Sequence, residues 1–311
     1  MKDKIIVLTG GVGGAKLVRG LAEVVPPDRI TAIVNTGDDF RHLGLSVSPD
    51  LDTLFYTIAD KSNAEQGWGR GGETWSFMEV LRSLGGEDWF QLGDGDLALH
   101  VLRSLRLARG ERLSAITEDF ARAWDIGIAM LPMSDDVVST HLATDEGDLP
   151  FQHYFVERRC APVVRSVRFE GAAEARAAPG VVEAILGADT RAILIAPSNP
   201  YLSIDPILAV PEIPAALMAA AAPVVAVSPI VGGQAVKGPT AKLMAELGVA
   251  ITPRSIADHY AGLIGALLVD VRDDAADIGV ETAIADTLMV TLEERARVAA
   301  AALAHADGLG S

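Results

Sequence analysis

Residues 5–17 read Ile5-Ile6-Val7-Leu8-Thr9-Gly10-Gly11-Val12-Gly13-Gly14-Ala15-Lys16-Leu17. The apolar run 5–8 predicts a buried strand, the glycines end it, and Leu17, Leu21 and Val24 then recur at helical spacing until Pro26-Pro27 stops the helix. A strand passing through a glycine turn into a helix is how doubly wound α/β proteins begin. The bare N–H groups of such a turn, at a helix N-terminus, form an anion site. Two common loops fail on residues. A dinucleotide fingerprint needs a third glycine where Lys16 stands, and a Walker A loop needs Gly-Lys-Ser/Thr where Ala15-Lys16-Leu17 stands. A third kind of phosphate loop remains, with Lys16 adding a point charge. The bland alternative is a tight turn that binds nothing.

Outward from this turn, strand and helix patterns alternate. Residues 30–34 predict a second strand. Pro49 stands where a first helical residue would, with Ser48 as its cap, and Leu51, Leu54, Phe55 and Ile58 form an apolar stripe. Residues 75–124 are mostly helical in pattern, clearest over 97–109 with Gly110 as a stop. Residues 137–143 and 149–156, separated by Asp145-Glu146-Gly147-Asp148, predict a hairpin at an antiparallel edge. Residues 192–196, 224–228 and 266–269 predict further buried strands, and 293–305 a terminal helix. The expected fold is a doubly wound, mostly parallel, Rossmann-like α/β sheet with a helical insertion and an antiparallel hairpin edge. It forms a single composite domain over 1–311, with its core at about 1–60 and 125–290 and its insertion at about 61–124.

Composition narrows the partners. Forty-two acidic against 26 basic residues give a formal charge of -16, which repels polyanions at long range and offers no basic footprint for nucleic acid. A lone Cys160 makes no internal disulfide and no zinc pair. No export signal is visible and no apolar run has the roughly 20 residues that span a bilayer, so a soluble, cytoplasmic protein without membrane partners is expected.

Carboxylates gather at the ends of the first elements. Asp38 and Asp39 follow the second strand in Asn35-Thr36-Gly37-Asp38-Asp39, on the rim where doubly wound proteins hold ligands, and Asp50 and Asp52 open the next helix. Four carboxylates beside a phosphate turn repel a diphosphate unless a hard divalent cation such as Mg²⁺ lies between them. The alternative for Asp50 and Asp52 is charge complementarity at a helix N-terminus. Asp94-Gly95-Asp96 and Ser134-Asp135-Asp136 read more simply as caps. Trp68, Trp75 and Trp89 suit a flat ring or plain packing. The six histidines show no metal or triad spacing, and Ser255 to Asp258 reads as a capping box. Ala196-Pro197-Ser198-Asn199-Pro200 and Ser228-Pro229-Ile230-Val231-Gly232-Gly233 each follow a predicted strand and open on the same rim. Lys237-Gly238 then leads a helix with a second basic residue.

Residues 9–17, 35–39, 48–53 (SPDLDT), 131–136 (LPMSDD), 196–200, 228–239 and Asp286-Thr287, in this order, resemble the 2-phospho-L-lactate transferase family of coenzyme F420 biosynthesis, out to about Met289. The resemblance implies a transferase that moves a phospholactyl, phosphoenolpyruvyl or related phosphoacid group from a guanosine diphosphate conjugate to the deazaflavin Fo and releases GMP, working as a homodimer. Carried over by position, Gly10, Gly11, Gly13, Gly14, Lys16, Asn35, Ser198, Asn199, Gly232, Gly233, Lys237 and Gly238 face the guanosine phosphates. Asp38, Asp39, Asp50 and Asp52 bind Mg²⁺ and the ribityl hydroxyl of Fo, with Asp50 nearest the attacking oxygen and Asp50 and Asp52 the catalytic pair. Asp94 belongs to the deazaflavin segment, where Gly95 departs from the family's usual arginine. One rival is a non-enzymatic nucleotide-sugar-binding regulator of a related family, which shares the glycine turn and the aspartate pair; SPDLDT and the helical insertion favour the transferase. The other, a dinucleotide-dependent oxidoreductase, lacks its third glycine.

Overall fold

The computed structural model describes residues 2–63, 68–235 and 238–309. Seven strands make one sheet: β1 (Lys4–Thr9), β2 (Ile30–Val34), β3 (Ala129–Pro132), β4 (Thr190–Ile195), β5 (Val224–Val227), β6 (Ala266–Asp270) and β7 (Glu281–Ala285). Their order is β7-β6-β5-β4-β1-β2-β3 and every pairing is parallel. The order reverses between β1 and β4, so the crevice beyond Thr9 and Ile195 is the switch point at which such sheets bind ligands.

The apolar runs are continuous because both faces of the sheet are covered. Ile6, Leu8, Ile193 and Ile195 pack to one side, and Ile5, Val7, Ala192 and Leu194 to the other. The second side carries α1 (Gly11–Val24), α2 (Pro49–Ile58) and the last helix, here α6 (Leu292–Leu309). Helices α3 (Ser76–Ser83), α4 (Leu97–Ala108) and α5 (Leu113–Ala123) occupy the segment read as an insertion. Helices α1 and α6 touch closely at Gly20, where a Cβ would lie 2.2 Å from the Arg295 carbonyl oxygen. Among the described residues no single helix is long and apolar enough to cross a membrane.

Several local expectations change. The hairpin exists, as Ser139–Thr144 against Gly147–Pro150, but it pairs with Val164–Glu170 in a separate three-stranded antiparallel sheet, not at the edge of the parallel one. Its second strand is short, because residues 151–157 are helical and carry Phe151 and Tyr154 into the core. Ser48 precedes α2 without capping it; its hydroxyl donates to Asp39 Oδ2 at 2.6 Å. The helix at Pro253–His259 is capped by Thr252, which accepts from the Ser255 N–H, and Asp258 pairs with Arg254. Strands β3 and β7, absent from the sequence reading, are the two edges of the sheet.

Candidate active site

A cavity of about 640 Å³ opens at the switch point. Gly10, Gly11, Val12, Gly13 and Lys16 line it from the β1 turn, and Pro197, Ser198 and Asn199 from the β4 turn. Ser198 ties the two turns together: its hydroxyl donates to the Gly10 carbonyl at 2.7 Å. The glycines are needed because other groups come close. A Cβ on Gly10 would stand 2.6 Å from Asp50 Oδ2, on Gly13 2.6 Å from the Pro197 carbonyl oxygen, and on Gly14 2.1 Å from Thr9 Oγ1. Gly11 alone in this turn has a positive φ, 62°. Lys16 donates to the Met289 carbonyl at 2.7 Å on the cavity wall.

The carboxylates meet as the sequence suggested, with differing roles. Asp50 lines the cavity, is 8% exposed, and accepts from Asn35 Nδ2 at 2.9 Å and from the Gly11 N–H. Burial pushes its carboxyl up to about 6 despite those bonds. Asp38, also on the cavity wall, is raised by burial and by the charges of Asp50 and Asp39. Asp39 lies behind the wall, raised by burial in spite of the Ser48 hydroxyl. Asp38 Oδ1 and Asp39 Oδ1 are buried with no hydrogen-bond partner among the described residues. Buried acceptors of one sign without donors are a costly arrangement that a divalent cation relieves, so the residues present fit such an ion.

Asp52 also lines the cavity, where it is paired with an arginine. Arg103 on α4, 1% exposed, donates to both Asp52 oxygens, through Nη1 at 3.1 Å and through Nη2. A carboxylate held by a fork of N–H groups is bound to its own chain.

Tyr56 and His100, which the sequence reading passed over, line the same cavity, and so does Asp96, which it took for a cap. The Tyr56 hydroxyl donates to Asp96 Oδ1, and His100 Nε2 stands 3.0 Å from Asp96 Oδ2. Burial opposes its charge, yet His100, Tyr56 and Arg103 keep the Asp96 carboxyl below the usual range. The signal was present as polar residues at 96, 100 and 103 on one face of a helix, and Tyr56 lies one turn past Asp52. Phe90, Phe151, Phe155 and Trp68 form an apolar wall. Trp75 does not line the cavity, and Trp89 packs among Phe40, His42, Phe90 and His153.

Several other expected contacts are engaged by the chain itself. Asn35 is fully buried; its side-chain N–H donates to Asp50 and its side-chain oxygen accepts from the Gly37 N–H. Asn199 lines the cavity while its side-chain oxygen caps the turn that follows, accepting from the Tyr201 and Leu202 N–H groups. The Gly232 and Gly233 N–H groups do not face a phosphate: they donate to Asp273, at 3.1 and 2.6 Å. Positive φ at both glycines presents the two N–H groups to one carboxylate from the loop after β6. Gly238 lines the cavity, and Lys237 lies outside the described residues. Asp94 caps α3, accepting from the Thr74 hydroxyl and the Ser76 and Phe77 N–H groups. The space a side chain on Gly95 would take is filled by the Arg70 guanidinium, 2.2 Å from such a Cβ.

A family model described as 2-phospho-L-lactate transferase CofD matches residues 5–303. Similar curated proteins include phosphoenolpyruvate transferases from Kitasatospora aureofaciens, 46% identical with 98% of each chain covered, and from Streptomyces coelicolor, 44% identical over the same shares. The Nocardia farcinica phosphoenolpyruvate transferase is 38% identical, with 96% of this chain and 94% of that protein covered. A Bacillus halodurans crystal structure superposes with a TM-score of 0.66 at 18% identity, covering 97% of this chain and 100% of that one, which shows a shared fold.

Proposed function

The chain belongs to the 2-phospho-L-lactate transferase family, and from that premise we propose that it moves a phosphoenolpyruvyl group from a guanosine diphosphate conjugate to the ribityl hydroxyl of the deazaflavin Fo, releasing GMP. Phosphoacid transfer in F420 biosynthesis is the family's activity. The choice of phosphoenolpyruvate follows the names of the relatives at 37–46% identity. One observation carries the two-substrate reading: a single cavity joins a glycine turn, Lys16, Asp38 and Asp50 at the sheet's switch point to an apolar wall of Trp68, Phe90, Phe151 and Phe155. The first end suits a diphosphate and the second a flat deazaflavin ring.

In the proposed step the Fo hydroxyl oxygen forms a bond to the phosphorus that carries the enolpyruvyl group. The bond from that phosphorus to the bridging oxygen breaks, and GMP leaves with the electron pair. Asp50 receives the hydroxyl proton, a task suited to a carboxyl near 6. Asn35 and the Gly11 N–H hold it in place. Phosphoryl transfer needs little covalent help, so position and charge neutralisation supply most of the rate. Asp38 and Asp39, beside Asp50, are the residues that would hold Mg²⁺, which when bound neutralises charge on the diphosphate. Asp52, paired with Arg103, fixes the start of α2 at the cavity wall. A cytoplasmic homodimer completes the proposal.

The test is mass spectrometry of the product formed from Fo with the enolpyruvyl, lactyl and glyceryl conjugates of guanosine diphosphate. The expected product is the phosphodiester of Fo with the phosphoenolpyruvyl group, formed with one GMP per turnover and dependent on Mg²⁺. Thermal stabilisation by a sugar nucleotide, with no product from any conjugate, would overturn it.

A further inference from the structure

The proposed function uses Asp38, Asp39 and Asp50 and gives no direct role to the buried polar cluster between α2 and α4. In that cluster Asp52, Asp96 and His100 each bring one ligand atom within 4.8 Å of the others, which is the donor set of a divalent cation site. A cation does not fit there beside Arg103. The guanidinium is 1% exposed, donates to both Asp52 oxygens, and has Nη1 3.5 Å from His100 Nδ1 and 3.4 Å from the Ser46 carbonyl oxygen. An arginine keeps its charge at any working pH, and this one also acts on Asp39 and Tyr56. By contrast, Asp38 Oδ1 and Asp39 Oδ1 are buried without a partner among the described residues. Two groups of carboxylates therefore stand near the start of α2. One holds a cation belonging to the chain, and in the other, two buried oxygens lack a donor among the described residues, although Arg103 also acts on Asp39.

We infer that Arg103 is a positioning residue that fills the place of a second divalent cation, so that the protein takes one fewer such ion than its carboxylates would hold. Many phosphoryl transfer sites clamp the attacking and leaving oxygens with a pair of metals about 4 Å apart. Here a guanidinium holds the second station, where it orders Asp52 without exchanging with solvent. This rests on the proposed function only in expecting a cation at the Asp38 group, and a difference between variants cancels that ion.

The experiment is Mn²⁺ binding at pH 7.5 with saturating GDP, followed by the electron paramagnetic resonance of the free ion, on the full chain. Arg103→Gln and Arg103→Met are each expected to bind one Mn²⁺ per chain more than wild type. Arg103→Lys is expected to match wild type, and adding His100→Ala to Arg103→Gln should remove the extra ion. Glutamine can still hydrogen-bond to Asp52, so R103Q serves if R103M does not fold, and circular dichroism checks both. Mn²⁺ should also raise the Tm of R103Q by more than it raises that of wild type. Equal stoichiometry in wild type and folded R103Q overturns the inference. No ion in wild type with one in R103Q supports it, and defeats instead the cation assigned to Asp38 and Asp39.

Discussion

Asp50 is held where its charge is unwelcome and its reactivity useful. Its folded carboxyl is raised to about 6, from burial first, against the 3.8 of a free aspartate. The native protein therefore keeps a proton that the unfolded chain has lost between those values, and stability falls as pH rises through the window. Below about 4 the group costs nothing; above about 6 the cost is full, on the order of 1 to 3 kcal/mol. Asp50→Asn removes the charge and can still accept from Asn35. In the absence of divalent cations the variant should melt higher than wild type at pH 7.5, with the gap closing by pH 4.5, while product formation falls at least about a hundredfold. A lower Tm at pH 7.5 would show that the neighbours stabilise the ionised form. Asp38 is raised by burial and by Asp50 and Asp39. Mg²⁺ should therefore raise the Tm of wild type clearly and that of Asp38→Asn much less, measured by differential scanning fluorimetry.

At the scale of elements, the unit β1-turn-α1 sets the distance between the two ligand-bearing rims. A methyl on Gly14 would meet Thr9 Oγ1, at the end of β1, at 2.1 Å and Ser198 Oγ, in the β4 turn, at 2.6 Å. Gly14→Ala should push α1 off the β4 turn, costing about 1 to 3 kcal/mol and raising KM for the guanosine conjugate more than it lowers kcat. Gly308→Ala, with nothing within 4 Å of the added carbon and a place in α6, should change stability by less than about 0.5 kcal/mol. The parallel strands were legible in the sequence because burial on both faces leaves unbroken apolar runs such as Ile5 to Leu8. Edge strands lack that signature: Glu281–Ala285 has only exposed and half-buried residues, and Ala129–Pro132 is four residues ending in proline. Helix α4 was legible as a helix, yet Asp96, His100 and Arg103 look like a solvated face until α2 is packed over them. The Gly232-Gly233 turn was legible as an anion site, but the carboxylate on it comes from Asp273, 40 residues later, and no local pattern announces that.

For the whole molecule, the formal charge of -16 and the chemistry of the proposed donor pull against each other. A guanosine diphosphate conjugate of a carboxylic phosphoacid carries several negative charges, so the protein's field opposes its approach from a distance. The glycine turn, Lys16 and a bound cation act only within the cavity. Salt screens the distant field far more than the near one: the Debye length shrinks from about 30 Å at 0.01 M to about 8 Å at 0.15 M ionic strength. Added monovalent salt at fixed Mg²⁺ should therefore raise kcat/KM for the anionic donor, by roughly two- to fivefold over that range, leave kcat unchanged, and hardly move KM for Fo. An enzyme whose surface steers its anionic substrate behaves in the opposite way. A fall in kcat/KM with salt would mean that the cavity mouth presents a net positive field despite the total charge, with guidance coming from basic residues around the mouth.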